Sequence, residues 1–402
     1  MKIEVLPSKI SSEVELPFSK SQLHRELILS FLVGKVLTLP SNSEDIVATY
    51  NALNVIKSGN GNIYAGESGS TLRLLIPVVL ALGGFYVFSG SKRLGERSLD
   101  AYFECFEKVS GVLLERLEGN NLPLKVSGKL FPGEYTIDAS KSSQFVSGML
   151  LALSALDGDS ILHIKDDIVS ENYVNITVDM INGYGGKVTR TGNDFHIKGG
   201  ILKDASYSIE GDYSQAAFFI VMSVLTNTKL TLKPLFAVSK QADKTILNVL
   251  DSIGTLYYFV NDALTIIPGI EKGFEIDLKN CPDISIPLMI LACFIPFPCI
   301  FNNCHRLLDK ESDRLGCMIE ILNKLGINNT LVGNTLTIIG TRTIQGGITL
   351  KTYNDHRFVM GLSTLAISTK KGLIIDGAEA VSKSFPDFFE VLLGLGVSIK
   401  GL

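Results

Sequence analysis

The sequence predicts a mixed α/β fold assembled from about six similar units, and three observations carry that expectation. A short polar cluster followed by about a dozen apolar residues occurs six times, at 19–25, 68–73, 142–144, 212–214, 283–285 and 355–357. The last four intervals are each roughly 70 residues, and self-similarity at a fixed spacing is a statement about fold. Between clusters, a glycine, a strand, a Gly/Asn turn and another strand recur at 111–128, 185–199, 254–269 and 326–340, and these read as hairpins. Finally, 402 residues at 46% hydrophobic are enough for two sizeable cores. The repeating unit is therefore a helix and a hairpin, with another helix and strand between.

In order, residues 3–6 read as a strand that leads to the first cluster. Ser19-Lys20-Ser21-Gln22-Leu23-His24-Arg25 sets two cations and two hydroxyls ahead of the almost wholly apolar run 26–33. On a helix Ser21 and Arg25 share a face, and the free N–H groups of its first turn would join Lys20 and Arg25 as an anion site. The same residues also suit a solvated face. Residues 41–45 are a cap-rich start for an amphipathic helix to about Ile56. The cluster at 68–73 opens the second apolar helix, where Gly69 either admits a ligand to the backbone or makes a tight turn. Residues 85–88 are strand-like and end in the basic loop 89–97, ahead of a helix around 99–109.

Ser140, Ser142, Ser143 and Gln144 precede the apolar run 145–156, as caps or, with the helix N–H groups, as a phosphate site. A helix is expected from Ser170 to about Tyr184, and Gly211-Asp212 opens the fourth cluster. Asp283, behind Cys281-Pro282, is either a helix cap or a base. The uncharged run 284–301 is long enough to span a membrane, but Pro287, Pro296 and Pro298 interrupt it. Proline in a helix interior costs about 3 kcal/mol, so a buried helix ending near Phe294 and then a strand is expected. Residues 309–314 carry five charges among six; on a helix Lys310 and Arg314 share a face, and solvation is the default reading. Asn354-Asp355-His356-Arg357 opens the sixth apolar helix, and residues 382–387 follow a strand near 373–375.

The net charge is −4 and the pI near 5.8, which argues against nucleic acid or an acidic membrane as partner. Cations gathered in the polar clusters of an acidic chain point instead to a local site for a small anion. Residues 1–10 hold no long apolar stretch, so no secretory signal is expected. The six cysteines form no CxxC pair and stand mostly among apolar residues, as reduced core side chains of a cytoplasmic protein would.

Together these residues resemble the 5-enolpyruvylshikimate-3-phosphate synthase family. The matches are SKSxxxR at 19–25, SGxTxRL at 68–74, the loop Arg97, SSQF at 142–145, KESDRL at 310–315, NDHR at 354–357 and SKSFPDF at 382–388. They run nearly the full length and are jointly specific. The resemblance implies a two-domain inside-out α/β barrel of six βαβαββ repeats, three per domain, with the active site in the cleft between the domains. One domain would comprise residues 1–17 plus 211–402, and the other residues 18–210. The implied activity transfers the enolpyruvyl (carboxyvinyl) group of phosphoenolpyruvate to the 5-hydroxyl of shikimate 3-phosphate and releases phosphate. That step belongs to the shikimate pathway, toward chorismate and the aromatic amino acids.

By the same resemblance, Lys20, Ser21, Arg25, Ser142, Ser143, Gln144 and Ser170 would hold shikimate 3-phosphate, with Asp283 and Lys310 at its reacting hydroxyl. Lys20, Gly69, Arg97, Gln144, Arg314, Arg357 and Lys383 would hold phosphoenolpyruvate. Asp283 would take the hydroxyl proton and Glu311 would protonate C3, with Lys20 as a second acid and Lys310 keeping Asp283 ionised. No metal or organic cofactor is expected, and the only expected partners are the two small substrates, bound by a monomer. The chain departs from the family pattern at Phe18, Glu67, Gln215 and Arg306, and the first two bear on inhibitor sensitivity at the Gly69 loop. The sister transferase acting on UDP-N-acetylglucosamine would want Lys-Asn near its start and usually a loop cysteine; here Lys20-Ser21 stands, and 89–97 has no cysteine. A non-catalytic anion-binding protein would not require Asp283, Lys310 and Glu311 together. An RNA-end cyclase would want a nucleophilic histidine and a basic surface.

Overall fold

Six apolar helices open at the six polar clusters: Lys20–Leu32 (α1), Gly69–Leu82 (α2), Ser143–Ser154 (α3), Tyr213–Thr226 (α4), Ser285–Ala292 (α5) and His356–Ser368 (α6). The structure is a computed structural model that describes every residue except Asp309 and Leu402, with Asn60 described by its backbone. Caps fix four of the starts. Ser68 Oγ accepts from Thr71 N at 3.1 Å, Ser142 Oγ from Gln144 N at 3.3 Å, and Asp355 Oδ1 from Arg357 N at 2.9 Å. Asp212 Oδ1 accepts from Ser214 N at 2.8 Å and Gln215 N at 3.1 Å. Apolar on nearly every face, α2 to α6 are buried along almost their whole length. Pro287 falls in the first turn of α5, where the missing N–H has no partner to lose.

The chain folds as two units, Met1–Ser19 with Glu210–Leu402, and Lys20–Ile209. In the first, α4, α5 and α6 pack on one another; in the second, α2 packs on α3 and α1 on α2, while Arg25 of α1 reaches Ser147 of α3. Glycine permits the closest approach in each. A Cβ on Gly148 would lie 2.6 Å from the Arg73 carbonyl oxygen, and one on Gly361 2.8 Å from Ile286 Cγ2.

Five four-stranded sheets are described, and all share one order: a parallel pair, then two antiparallel neighbours. The second unit has Asn60–Tyr64, Gly84–Ser89, Leu124–Gly128 and Val112–Arg116 in one sheet. Its other sheet holds Glu134–Ile137, Asp159–Ile164, Asp194–Lys198 and Lys187–Thr191. The first unit has Glu13–Glu15, Leu230–Lys233, Ala263–Ile267 and Leu256–Val260, then Glu275–Asp277, Cys299–Asn302, Thr335–Ile339 and Asn328–Val332. Its last sheet combines Thr349–Lys351 and Leu373–Asp376 with Lys2–Val5 and Ile399–Lys400, from opposite ends of the chain.

A parallel pair needs a crossover, and in every sheet an apolar helix supplies it. Helices α2, α3, α5 and α6 each connect their pair directly, whereas Glu13–Glu15 reaches Leu230–Lys233 only through the whole second unit and then α4. The architecture is therefore mixed α/β, with repeated βαβ units in two similar halves. Among the described residues, no helix is long and apolar enough to cross a membrane.

The expected hairpins and the amphipathic helix, Glu44–Lys57, are present. Three local expectations are corrected. The helix after the charged run is Arg314–Leu325, so Lys310 precedes it and shares no helical face with Arg314; Asp309 lies outside the described residues. Asp313 caps that helix, its Oδ1 accepting from Gly316 N at 2.9 Å, which fixes the start there. The helix expected from Ser170 is Asn172–Gly183, with Ser170 left-handed at φ 53°. The basic loop 89–97 contains a short helix, Lys92–Glu96, capped by Ser91.

Candidate active site

In the unit containing residues 210–402, the starts of α5 and α6 and the loop before Arg314–Leu325 converge on Arg314. Its guanidinium is wholly buried. Nε donates to Asp355 Oδ2 at 2.8 Å, Nη1 to Asp283 Oδ1 at 2.9 Å and Nη2 to Glu311 Oε2 at 2.5 Å. Burial works against the charge, but Asp355, Glu311 and Asp283 outweigh it and hold the pKa above the usual arginine value. Asp355, which also caps α6, takes a further bond from Ser312 Oγ at 3.0 Å.

Asp283 is about a quarter exposed and faces three cations: Arg314, Arg357 Nη2 at 3.4 Å and Lys310 Nζ at 3.9 Å. Burial pushes its carboxyl up, but Arg357, Lys310 and Arg314 together hold it well below the usual carboxylate range. Ile284 occupies the cap position of α5, with no side-chain cap bond. The cap reading of Asp283 therefore fails. Arg357 Nη1 also donates to the Asp283 carbonyl at 2.9 Å. Burial lowers the Lys310 amine to about 8, against the opposing pull of Asp283 and Glu311. Lys383, buried at the end of the 3-10 turn Ala378–Lys383, donates to the Asn354 carbonyl at 2.5 Å.

The other unit gathers its predicted residues around the first turns of α1, α2 and α3. Lys20 Nζ pairs with Asp45 Oδ2 at 2.5 Å. Arg25 is buried among protein acceptors: Nε on Thr177 Oγ1 at 2.6 Å, Nη1 on the Ser21 carbonyl at 2.6 Å, Nη2 on Ser147 Oγ and the Tyr173 carbonyl, both at 3.1 Å. Burial lowers its pKa to about 10. Gln144 joins α3 to α2, its Nε2 donating to Ser70 Oγ at 2.9 Å and its Oε1 accepting from Arg73 Nη1 at 3.0 Å. A Cβ on Gly69 would lie 2.7 Å from Arg97 Nη1, so the bare backbone at the start of α2 lies against that guanidinium. Ser143 and Ser170 are both buried.

Two residues had no place among the predicted site residues. Arg73 stands in the second polar cluster and bridges Gln144 to the Ser98 carbonyl at 3.2 Å; its place in the polar cluster 68–73 was the available signal. Asp243, buried against Ser214, belongs to no motif. Chemically, the α1–α3 group offers hydroxyls, an amide, cations and helix N-termini to phosphate and carboxylate. The group around Arg314 offers carboxylates for proton transfer, in the company of cations.

Residues 37–392 match the family model described as EPSP synthase (3-phosphoshikimate 1-carboxyvinyltransferase). The 3-phosphoshikimate 1-carboxyvinyltransferase of Clostridium kluyveri is 36% identical over 420 residues, covering 99% of this chain and 98% of its own. That of Clostridium perfringens is 34% identical over 426 residues, covering 100% and 99%. Among solved structures, an EPSP synthase from Acinetobacter baumannii superposes with a TM-score of 0.80 at 22% identity over 99% of both chains. The enolpyruvyl transferase NikO from Streptomyces tendae does so with a TM-score of 0.75 at 16% identity, covering 99% of this chain and 98% of its own. At those identities, the two structures speak to the fold alone.

Proposed function

The chain belongs to the EPSP synthase (3-phosphoshikimate 1-carboxyvinyltransferase) family and transfers the enolpyruvyl group of phosphoenolpyruvate to the 5-hydroxyl of shikimate 3-phosphate, and we propose that its two residue groups serve that one pair of substrates. Ser21, Arg25, Ser142, Ser143, Gln144 and Ser170, with Lys20, hold shikimate 3-phosphate, and Asp283 and Lys310 attend its reacting hydroxyl. Gly69, Arg97, Arg314, Arg357 and Lys383, with Lys20 and Gln144, hold phosphoenolpyruvate. Hydroxyls and helix N–H groups suit the phosphate, and guanidinium groups suit the carboxylates. The same reading extends the five sheets to six βαβαββ repeats of an inside-out α/β barrel, three in residues 1–17 with 211–402 and three in 18–210.

The hydroxyl oxygen attacks C2 of phosphoenolpyruvate while its proton passes to Asp283, and C3 gains a proton from Glu311, with Lys20 as a second acid. Phosphate then leaves C2 with its bonding electrons, the new methyl gives up a proton, and the enol ether remains. A carboxylate held far below neutrality is a weak base, so Asp283 needs its cations shared. The incoming carboxylate and phosphate do this by drawing on Arg314 and Arg357, which lets the Asp283 pKa rise as the substrates bind. Lys310, lowered to about 8 by burial, is poised to pass the proton on.

The observation that carries this reading is that Asp283 faces Arg314, Arg357 and Lys310 instead of capping α5. Phosphate release from phosphoenolpyruvate, with and without shikimate 3-phosphate, is the test. Release should require both substrates; release without the second, or none at all, defeats the reading.

A further inference from the structure

Asp243 lies in the 3-10 turn Ala242–Thr245, which packs against the start of α4, and is 1% exposed. Its Oδ2 shares a hydrogen bond with Ser214 Oγ. Oδ1 is buried with no hydrogen-bond partner. The turn itself is pinned to α4 by Gln241, whose Oε1 accepts from Tyr213 N at 3.0 Å and whose Nε2 donates to the Gly211 carbonyl at 2.8 Å. The charged and titratable groups that bear on Asp243 are Asp283 and Cys281 from the turn before α5, Arg357 from α6 and Asp212 at the cap of α4.

We propose that Asp243 is a positioning residue for the transfer, a neutral carboxyl that adds no second negative charge beside Asp283 where Asp283 meets Arg357 and the incoming anions. An ionised carboxylate in this setting would be buried with one oxygen unpartnered and the other on a single hydroxyl, an arrangement that burial penalises heavily. It would also set a second like charge near Asp283, and neighbouring carboxylates do not both ionise readily. Burial and the Asp283 charge push the Asp243 carboxyl up to about 7, with Arg357 and Ser214 pulling the other way. As pH rises through that value, Asp243 ionises, competes with substrate for Arg357 and repels it. The inference rests on the roles given above to Asp283 and Arg357.

The test is the pH dependence of steady-state kinetics in Asp243→Asn and Asp243→Ala beside the parent enzyme. In the parent, KM for phosphoenolpyruvate should climb between about pH 6 and about pH 8, around the neutral-range titration of Asp243. Asp243→Asn copies the shape of the neutral acid and should flatten that climb. Asp243→Ala loses the Ser214 bond and should lower turnover by up to about tenfold at every pH. A residue with only a structural role would shift the melting temperature and leave the KM profile as in the parent, which would overturn the proposal. A loss of about a hundredfold in Asp243→Asn at every pH would also overturn it, by showing that the charge is required. Infrared difference spectra of the unliganded parent and Asp243→Asn at about pH 6 give a readout free of turnover. A protonated-carboxyl band missing from the variant supports the proposal, and identical spectra defeat it even if the parent proves inactive.

Discussion

Arg314 is permanently charged and wholly buried, so its three carboxylate partners decide both its cost and its use. Removing Arg314 leaves the wholly buried Asp355 charge without its guanidinium and takes a partner from Glu311 and Asp283. Arg314→Met should therefore lower stability by about 3–5 kcal/mol in urea unfolding, far more than loss of a surface ion pair. Asp283→Asn and Glu311→Gln remove an acid or base and should each fold, bind shikimate 3-phosphate nearly as the parent does, and lose at least about 10² in turnover. If Asp283→Asn keeps its turnover and only melts earlier, the residue is structural. Proton linkage adds a sign. Asp283 and Asp355 have lowered pKa values, so their stabilisation is present above about pH 4 and is lost as pH falls through the folded values. Asp243 works the other way: its contribution is fully present below about pH 4 and is lost as pH rises from there to about 7. Cys281 is buried, and burial followed by Asp243, Asp277 and Asp283 pushes its thiol well up; brief thiol-reagent treatment should spare activity. The charged motif around Lys310 was legible in the sequence, yet its burial was not. Arg314 is buried by Asp355, 41 positions away, and nothing local distinguishes that from solvated charge.

Helix starts were the most legible elements because their signals are local: a capping Ser or Asp, then an unbroken apolar run. Ser68, Ser142, Asp212 and Asp355 all cap helices. Where a tertiary partner overrides the local signal the reading slips. Asp283 resembled those four and caps nothing, since Arg314 and Arg357 claim its oxygens. The helix Lys92–Glu96 is too short to leave a periodicity. The start of α2 has a further constraint: Gly69 has no room for a side chain beside Arg97. In Gly69→Ala the Cβ would meet Arg97 Nη1 at 2.7 Å, and the guanidinium must move. KM for phosphoenolpyruvate should rise about tenfold while shikimate 3-phosphate binding, by titration calorimetry, stays near that of the parent. Equal weakening of both ligands would mean that α2 itself has been displaced.

At the scale of the whole chain, the recurrence of helix and hairpin was readable, but the path of the chain through its units was not. Nothing in composition marks residues 19 and 210 as crossings, and only resemblance to a family suggested a split near them. The structure gives the physical form. Ser19 N donates to the Glu210 carbonyl at 2.8 Å, Asp212 N donates to the Pro17 carbonyl at 3.0 Å, and Phe18 bridges Gly211. The outgoing and returning segments thus run side by side, and the second unit is an insertion whose ends lie together. Insertions with adjacent ends are tolerated because removing them opens no gap in the host. The host also keeps its own core of α4, α5 and α6 and its own three sheets, including the one that joins Lys2–Val5 to Leu373–Asp376 and Ile399–Lys400. Replacing residues 20–209 by a short Gly/Ser linker should therefore give a folded protein with one cooperative urea transition and resistance to limited proteolysis. It should release no phosphate from phosphoenolpyruvate, having lost Lys20, Gly69, Arg97 and Gln144. A product that is protease-sensitive and has no transition would mean that the two units fold only together.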